Sequence, residues 1–94
     1  MNNVIVNVKN ADYYDTVQIF IDGVPYGKKK GNSRFEIPVT DGNHVIYGIY
    51  DNMEPDFQGI THALGAISFE IKNKDVSFTV EISNIYSGGK LLKD

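Results

Sequence analysis

The sequence predicts an all-β fold, because its apolar residues are those that favour strands and because they alternate with polar residues. The 94 residues include 11 Ile and 9 Val but only 3 Leu and 3 Ala. Branching at Cβ restricts the side chain and suits a pleated sheet, whereas Leu and Ala favour helices. No stretch of ten residues or more has a helical period, so a mixed α/β fold is the less favoured alternative.

Period-two alternation predicts the first two strands at residues 4–8 and 16–22. In both segments every second residue is β-branched and apolar, which gives each strand one core face. These core-facing residues are Val4, Val6, Val8, Val17, Ile19 and Ile21.

Asp22 and Gly23 form the residue pair of a two-residue hairpin turn, which predicts a short return strand at residues 24–27. Pro25 places that strand at a sheet edge, because proline cannot donate a hydrogen bond to a neighbouring strand. Residues 28–30 are all lysine. We interpret them as a solvated polar connection near an edge rather than as a nucleic-acid site.

Two further strands are predicted at residues 33–39 and 44–51. The first has Phe35, Ile37 and Val39 on its core face. The second is apolar on both faces, so it is either central in its sheet or covered on its second face. We assign Tyr47, with Val45 and Ile49, to the core.

Residues 51–65 lack a clear period and are predicted to form a long loop that is functional, disordered or conceals an element. Alternation resumes at residues 66–72 and 76–82, with Phe69 and Phe78 on core faces. Residues 85–94 are predicted to form a C-terminal tail. The expected organisation is therefore a single domain at residues 1–84 followed by that tail.

About seven short strands with turn signals every eight to twelve residues are typical of an immunoglobulin-like antiparallel β-sandwich. The chain has no cysteine and no tryptophan, so the disulfide and core Trp of immunoglobulin domains are absent. The expected similarity is architectural. A domain of this size has a net stability of about 5–14 kcal/mol.

The segments 17–27 (VQIFIDGVPYG), 35–39 (FEIPV) and 41–47 (DGNHVIY) form a strand, a glycine-containing hairpin, a second hairpin and a strand that begins at a histidine. This succession, over residues 16–50, resembles the PEGA-type domain, a small β-sandwich module of bacterial and archaeal surface and envelope proteins. The resemblance implies a non-catalytic module that displays or recognises something at a cell surface. The chain departs from the family in its long loop and in lacking Pro-Glu-Gly-Ala.

Charge and composition exclude several classes of function. A net charge of −3 and a pI near 5.2 argue against nucleic acid as a partner. No apolar run approaches the roughly 20 residues that span a bilayer, so membrane insertion is not expected. No cofactor is indicated. Without cysteine there is no thiolate metal site, and the acidic residues of the long loop lack the spacing of a calcium loop, so no metal site is predicted.

The two histidines limit any catalytic hypothesis. His44 follows a turn at the start of a strand, where a structural role is favoured. His62 lies in the long loop with Asp56, but the sequence has neither a nucleophile elbow nor an oxyanion-hole motif to complete a triad. We therefore predict a non-enzyme with no catalytic residues.

Aromatic residues off the core register are the candidate binding residues, because exposed rings stack on sugars or anchor protein interfaces. Covering a minor core is the competing interpretation. The candidates, with the histidine of the long loop, are Tyr14, Tyr26, Tyr50, Phe57 and His62.

The expected function is that of a non-enzymatic surface or envelope module, which binds a protein or glycan partner through the 51–65 loop and these aromatics. The alternative is a structural spacer or assembly subunit that forms weak homo-oligomers through an edge strand, Val24–Gly27 or Val4–Val8. The compartment is open; an extracytoplasmic or surface location is favoured if the chain belongs to a longer secreted or lipid-anchored protein.

Overall fold

The computed structural model describes residues 1–10, 16–52, 60–84 and 88–94, and in this part of the chain all regular structure is β-strand. The all-β prediction is confirmed. No helix in these residues is long and apolar enough to cross a membrane. The strands are β1 (Asn2–Asn10), β2 (Thr16–Ile21), β3 (Val24–Lys30), β4 (Ser33–Val39), β5 (Gly42–Asn52), β6 (Ile60–Ile71), β7 (Val76–Asn84) and β8 (Gly88–Lys93).

The strands form two four-stranded sheets. Sheet A has the order β4-β1-β7-β8 and sheet B has the order β3-β2-β5-β6. Their inner faces contribute to one apolar core, as in a β-sandwich. Within sheet A, β1 runs parallel to β7, which corrects the expectation of an entirely antiparallel arrangement. The finer immunoglobulin-like type stays a prediction.

The core consists of the alternating residues that the sequence pattern identifies on most strands. Phe35 and Phe78 are buried, and Phe69 lies edge-on to Phe78 with ring centroids 5.2 Å apart. The same burial holds for the predicted inward residues of β1, β2 and β7, which are Val4, Val6, Val8, Val17, Ile19, Ile21, Val76, Val80 and Ile82.

Strand β5 has the opposite orientation to the one predicted. Ile46 and Tyr50 are fully buried, whereas Tyr47 is 38% exposed and Val45 is 43% exposed. The assignment of Tyr47 to the core is therefore wrong. Both faces of this strand are apolar, so alternation alone did not decide which face is buried. Gly48 is on the inner face, and an added Cβ there would lie 3.1 Å from Leu64 Cδ1.

The predicted loop at residues 51–65 is partly strand. Asp51 and Asn52 end β5, and residues 60–65 begin β6; residues 53–59 lie outside the described residues. The pairing of β5 with β6 contains a register shift that leaves Leu64 without an opposite residue, and Gly65 has a φ of +115°. Such a bulge changes which alternate residues point inward, and this removed the period of two from the sequence pattern.

The C-terminal segment is a strand rather than a tail. Strand β8 pairs with β7, and Leu91 is buried. Gly89 is packed too closely for a side chain: an added Cβ would lie 2.7 Å from Leu64 Cδ2 and 2.8 Å from the carbonyl oxygen of Glu81. The glycine at this position therefore serves packing between β8 and its neighbours.

The predicted edge position of residues 24–27 is confirmed, since β3 is an outer strand of sheet B. The hairpin turn before it has the positive φ angles that Asp22 and Gly23 tolerate, +52° and +80°. Lys28–Lys30 belong to β3 rather than to a connection. Strand β1 lies between β4 and β7, so the prediction that Val4–Val8 forms an exposed edge is wrong.

Candidate functional site

The predicted binding residues do not form one surface. Tyr14 and Phe57 lie outside the described residues. Tyr50 is fully buried, and its ring stacks on His62 with centroids 4.7 Å apart and planes inclined by 14°. The expectation of an exposed Tyr50 is wrong, because β5 turns this residue into the core. His62 is half-buried beside it on β6.

Tyr26 is 40% exposed, as expected for a residue on the edge hairpin. It lies on β3, at the opposite edge of sheet B from His62 on β6, so these two candidates are not brought together. Tyr26 lines a cavity of about 230 Å³ between the edges of the two sheets, with Ile21, Val39 and Met1 among its neighbours.

A pair of polar side chains fixes the turns at this end of the sandwich. His44 Nδ1 lies 2.5 Å from Asp22 Oδ2, and His44 Nε2 lies 2.8 Å from the carbonyl oxygen of Thr40. The backbone N–H of Val45 donates to Asp22 Oδ1 at 2.9 Å. The pair, which we call the Asp22–His44 clamp, therefore connects the β2–β3 turn to the start of β5.

The partners of the clamp determine its charge state. A carbonyl oxygen and a carboxylate both accept hydrogen bonds, so the contacts of both His44 nitrogens are satisfied together when the ring is protonated, and the arrangement favours the imidazolium. The hydrogen bond to Asp22, and then that to Thr40, raise the pKa of His44 above its ordinary value of 6.5. The hydrogen bond from His44, and then that from Val45, lower the pKa of Asp22 below 3.8.

This arrangement does not suit catalysis. A general base needs a ring nitrogen free to accept a proton, and both nitrogens of His44 already donate to other groups. A cavity of about 360 Å³ adjoins the clamp, lined by Asn43, Ser68 and Phe69 as well as by the pair. Among the residues that the structure describes, no group of three or more His, Asp or Glu side chains could hold a metal ion.

The outer face of sheet B has a different character. The strand register aligns one residue from each of its four strands across the sheet, and most of the side chains in the middle are apolar. The central row is Pro25, Phe20, Tyr47 and Ala66. Its neighbours on β5 are Val45 and Ile49, and Ala63 lies opposite Ile49. We call these seven residues the apolar patch.

The two aromatic rings of the apolar patch contact each other, with centroids 5.9 Å apart and planes inclined by 47°. Polar side chains border the patch along the sheet. At one border Lys28 Nζ lies 3.7 Å from Asp51 Oδ2, and Thr61 donates to Asp51 Oδ1 at 2.6 Å. At the other border Ser68 lies opposite Val45, beyond which are Asn43 and Glu70.

The outer face of sheet A is mainly polar. Arg34 forms hydrogen bonds of 3.0 and 2.8 Å with Glu36, and Lys90 lies 4.0 Å from Glu81. Ser77 and Thr79 each donate to the carboxylate of Asp94 at 2.7 Å. Apolar side chains here include Ile5 and Leu92, in different rows of the sheet.

Sequence reasoning missed the apolar patch, although the signal for it was present. Strand β5 was identified as apolar on both faces, which requires either a central position or a second cover. The structure places it centrally, between β2 and β6, but no element of the described chain covers its outer side. Phe20, on the face of β2 opposite its core residues, supplied the second half of the signal.

The apolar patch, with its two contacting rings and polar borders, is thus the candidate functional site. Comparisons with protein-family models, with curated proteins and with solved structures gave no match.

Proposed function

We propose that this protein is a non-enzymatic binding module, and that it holds its partner against the outer face of sheet B. The observation that carries the proposal is the apolar patch. Its residues Tyr47 and Val45 are about two-fifths exposed on the central strand β5. The outer face of sheet A, by contrast, carries mainly polar side chains. Exposed aromatic and aliphatic residues collected on one face are characteristic of interaction surfaces.

Two further features support a binding role over a catalytic one. The outer face of sheet B is built on strands, and rigid elements hold binding residues more accurately than loops do. The histidine of the clamp, meanwhile, is engaged at both nitrogens. We also propose a location at a cell surface or envelope; this rests on the sequence pattern of residues 16–50 alone, and no family model matches the chain.

Assembly through an edge strand is a second candidate, since β3 is an outer strand of sheet B. Three properties of β3 oppose the addition of another strand: Pro25, three consecutive lysines, and a register irregularity opposite Gln18 and Phe20. Natural sheets use these features to prevent edge-to-edge pairing. Sedimentation of the protein at high concentration decides this point, and we expect a monomer.

The binding proposal is tested by screening the protein against a printed glycan array and a displayed library of random peptides. We expect binders from at least one collection, and we expect the double substitution Phe20→Ala with Tyr47→Ala to abolish their binding. Leu92→Ala is a matched control, because Leu92 has the same 38% exposure as Tyr47 but lies on sheet A.

Two results would contradict the proposal. One is the absence of binders from both collections. The other is a set of binders that the double variant retains at full affinity while its thermal unfolding shows that it is folded.

A further inference from the structure

We infer that the partner of the apolar patch is a neutral glycan, whose sugar rings lie flat against Phe20 and Tyr47. This inference rests on the proposed function and specifies the chemistry of its ligand. It is based on the size of the patch, the charge around it and the groups at its borders.

The size of the patch is unsuited to a stable protein partner. Strands about 4.8 Å apart and outward-facing residues about 6.7 Å apart along each strand give the seven residues an area of roughly 200–300 Å². A standard protein–protein interface buries about 800 Å² of each partner, polar rim included, so a stable protein partner would have to extend far beyond these seven residues. The area of the patch instead matches that covered by a few sugar rings of a chain.

The charge around the patch favours a neutral ligand. Among the described residues, two cationic and two anionic side chains lie in the outward register around it, so their charges balance and do not favour a polyanion or a polycation. A single-stranded nucleic acid would also stack on aromatic rings, but its phosphates require a basic groove. The four groups are Lys28, Lys30, Asp51 and Glu70. The Asp22–His44 clamp lies at the end of the sandwich, where His44 is opposite the core residue Phe69.

The borders of the patch supply hydrogen-bonding groups for a polyhydroxylated ligand. Gln18 lies opposite Ile49, Thr61 lies opposite Asp51, and Ser68 lies opposite Val45. Hydroxyl and amide side chains both donate and accept, which matches the hydroxyl groups of a sugar. The ring faces carry a partial negative charge that attracts the C–H bonds of a sugar ring. Apolar centre and polar border together fit the two kinds of surface that a sugar presents.

The test is calorimetric titration of the 94-residue protein with soluble neutral polysaccharides: a β-glucan, an α-mannan and a galactan. We expect at least one to bind. Tyr47→Ala removes one of the two stacking rings and should weaken that binding roughly 5- to 100-fold, by analogy with the loss of one aromatic side chain that stacks on a nucleic-acid base. Tyr47→Phe, which keeps the ring, should retain most of the affinity, and Leu92→Ala should retain all of it.

The possible failures separate the two proposals. If no neutral polysaccharide binds, or if an acidic one such as polygalacturonate binds instead, the neutral-glycan inference is overturned. If no neutral polysaccharide binds but a random peptide binds wild type and not Tyr47→Ala, the inference is overturned while the binding module stands. If Tyr47→Ala is folded and binds a neutral polysaccharide as well as wild type does, the glycan is held elsewhere and the inference is again wrong.

Discussion

On the outer face of sheet A, Arg34 pairs with Glu36 and two hydroxyl groups donate to Asp94, whereas on the outer face of sheet B Phe20 contacts Tyr47. The inner faces show no such difference, since both contribute β-branched and aromatic residues to one core. A solvated sheet face normally carries polar residues. Sheet A follows that rule and sheet B departs from it, and in our proposal an interaction, rather than folding, explains the apolar residues on the outer face of sheet B.

The two sheets also differ in how their ends are fixed. In sheet B an ion pair, the Asp22–His44 clamp, holds the β2–β3 turn against β5. In sheet A two hydroxyl groups of β7 donate to the carboxylate of Asp94, which follows β8, and the backbone N–H of Asp94 donates to the carbonyl oxygen of Ser77 at 3.0 Å. His44 of the clamp titrates at higher pH than Asp94, so substitutions of these two residues separate the two arrangements by experiment.

The largest expected effect is a difference in the free energy of unfolding between a variant that loses an inner aromatic ring and one that loses an outer ring. Phe78→Ala removes a fully buried ring that contacts Phe69 and should lower the free energy of unfolding by about 3–5 kcal/mol. Tyr47→Ala removes a partly exposed ring and should cost no more than about 1 kcal/mol. Chemical denaturation of both variants measures the difference. Equal losses would mean that the apolar patch is a second core rather than a binding surface.

A smaller effect is expected from pH on the sheet B clamp. The pKa of His44 is raised in the folded protein, so its contribution to stability is complete below about 6.5 and is lost as pH rises through the raised value. The melting temperature should therefore fall between pH 6 and pH 9, and His44→Gln should reduce that fall.

His62→Gln is the control for this prediction, because it removes the other histidine and leaves the clamp intact. The clamp explains the pH dependence only if His62→Gln reduces it less than His44→Gln does. If His44→Gln has the same melting temperature as wild type at every pH, the clamp does not stabilise the fold.

The smallest effect is expected on the acidic side, in sheet A. Hydrogen bonds from Ser77 and Thr79, with the charge of Lys9, lower the pKa of Asp94. Its contribution to stability is present above its ordinary pKa of 3.8 and is lost as pH falls through the lowered value. Asp94→Asn should therefore lower the melting temperature at pH 6 more than at pH 2. The effect is small because these groups are exposed and solvent weakens their interaction.

The candidate site was only partly predictable. The edge strand with Tyr26 and the structural role of His44 followed from local patterns, because a proline in a strand and a histidine after a turn have few alternatives. Tyr50 was assigned to the wrong side because β5 offers two apolar faces and only the packing of Ile46 and Gly48 against the core selects one. The apolar residues of the patch were visible in the sequence, but their position as one surface was not, since it requires Phe20 on β2 to meet Tyr47 on β5 in register.

The sequence by itself determined the all-β class, the hairpin at Asp22 and Gly23, and the inward residues of the strands that alternate clearly. These properties depend on side-chain branching, backbone φ and a period of two, which all act over a few neighbouring residues. The tertiary structure decided which face of β5 is buried and that residues 88–93 complete sheet A. It also placed the bulge at Leu64, which changes which alternate residues of β6 point inward. Each of these depends on contacts between distant strands, and the same contacts put Phe20 beside Tyr47 on an uncovered face.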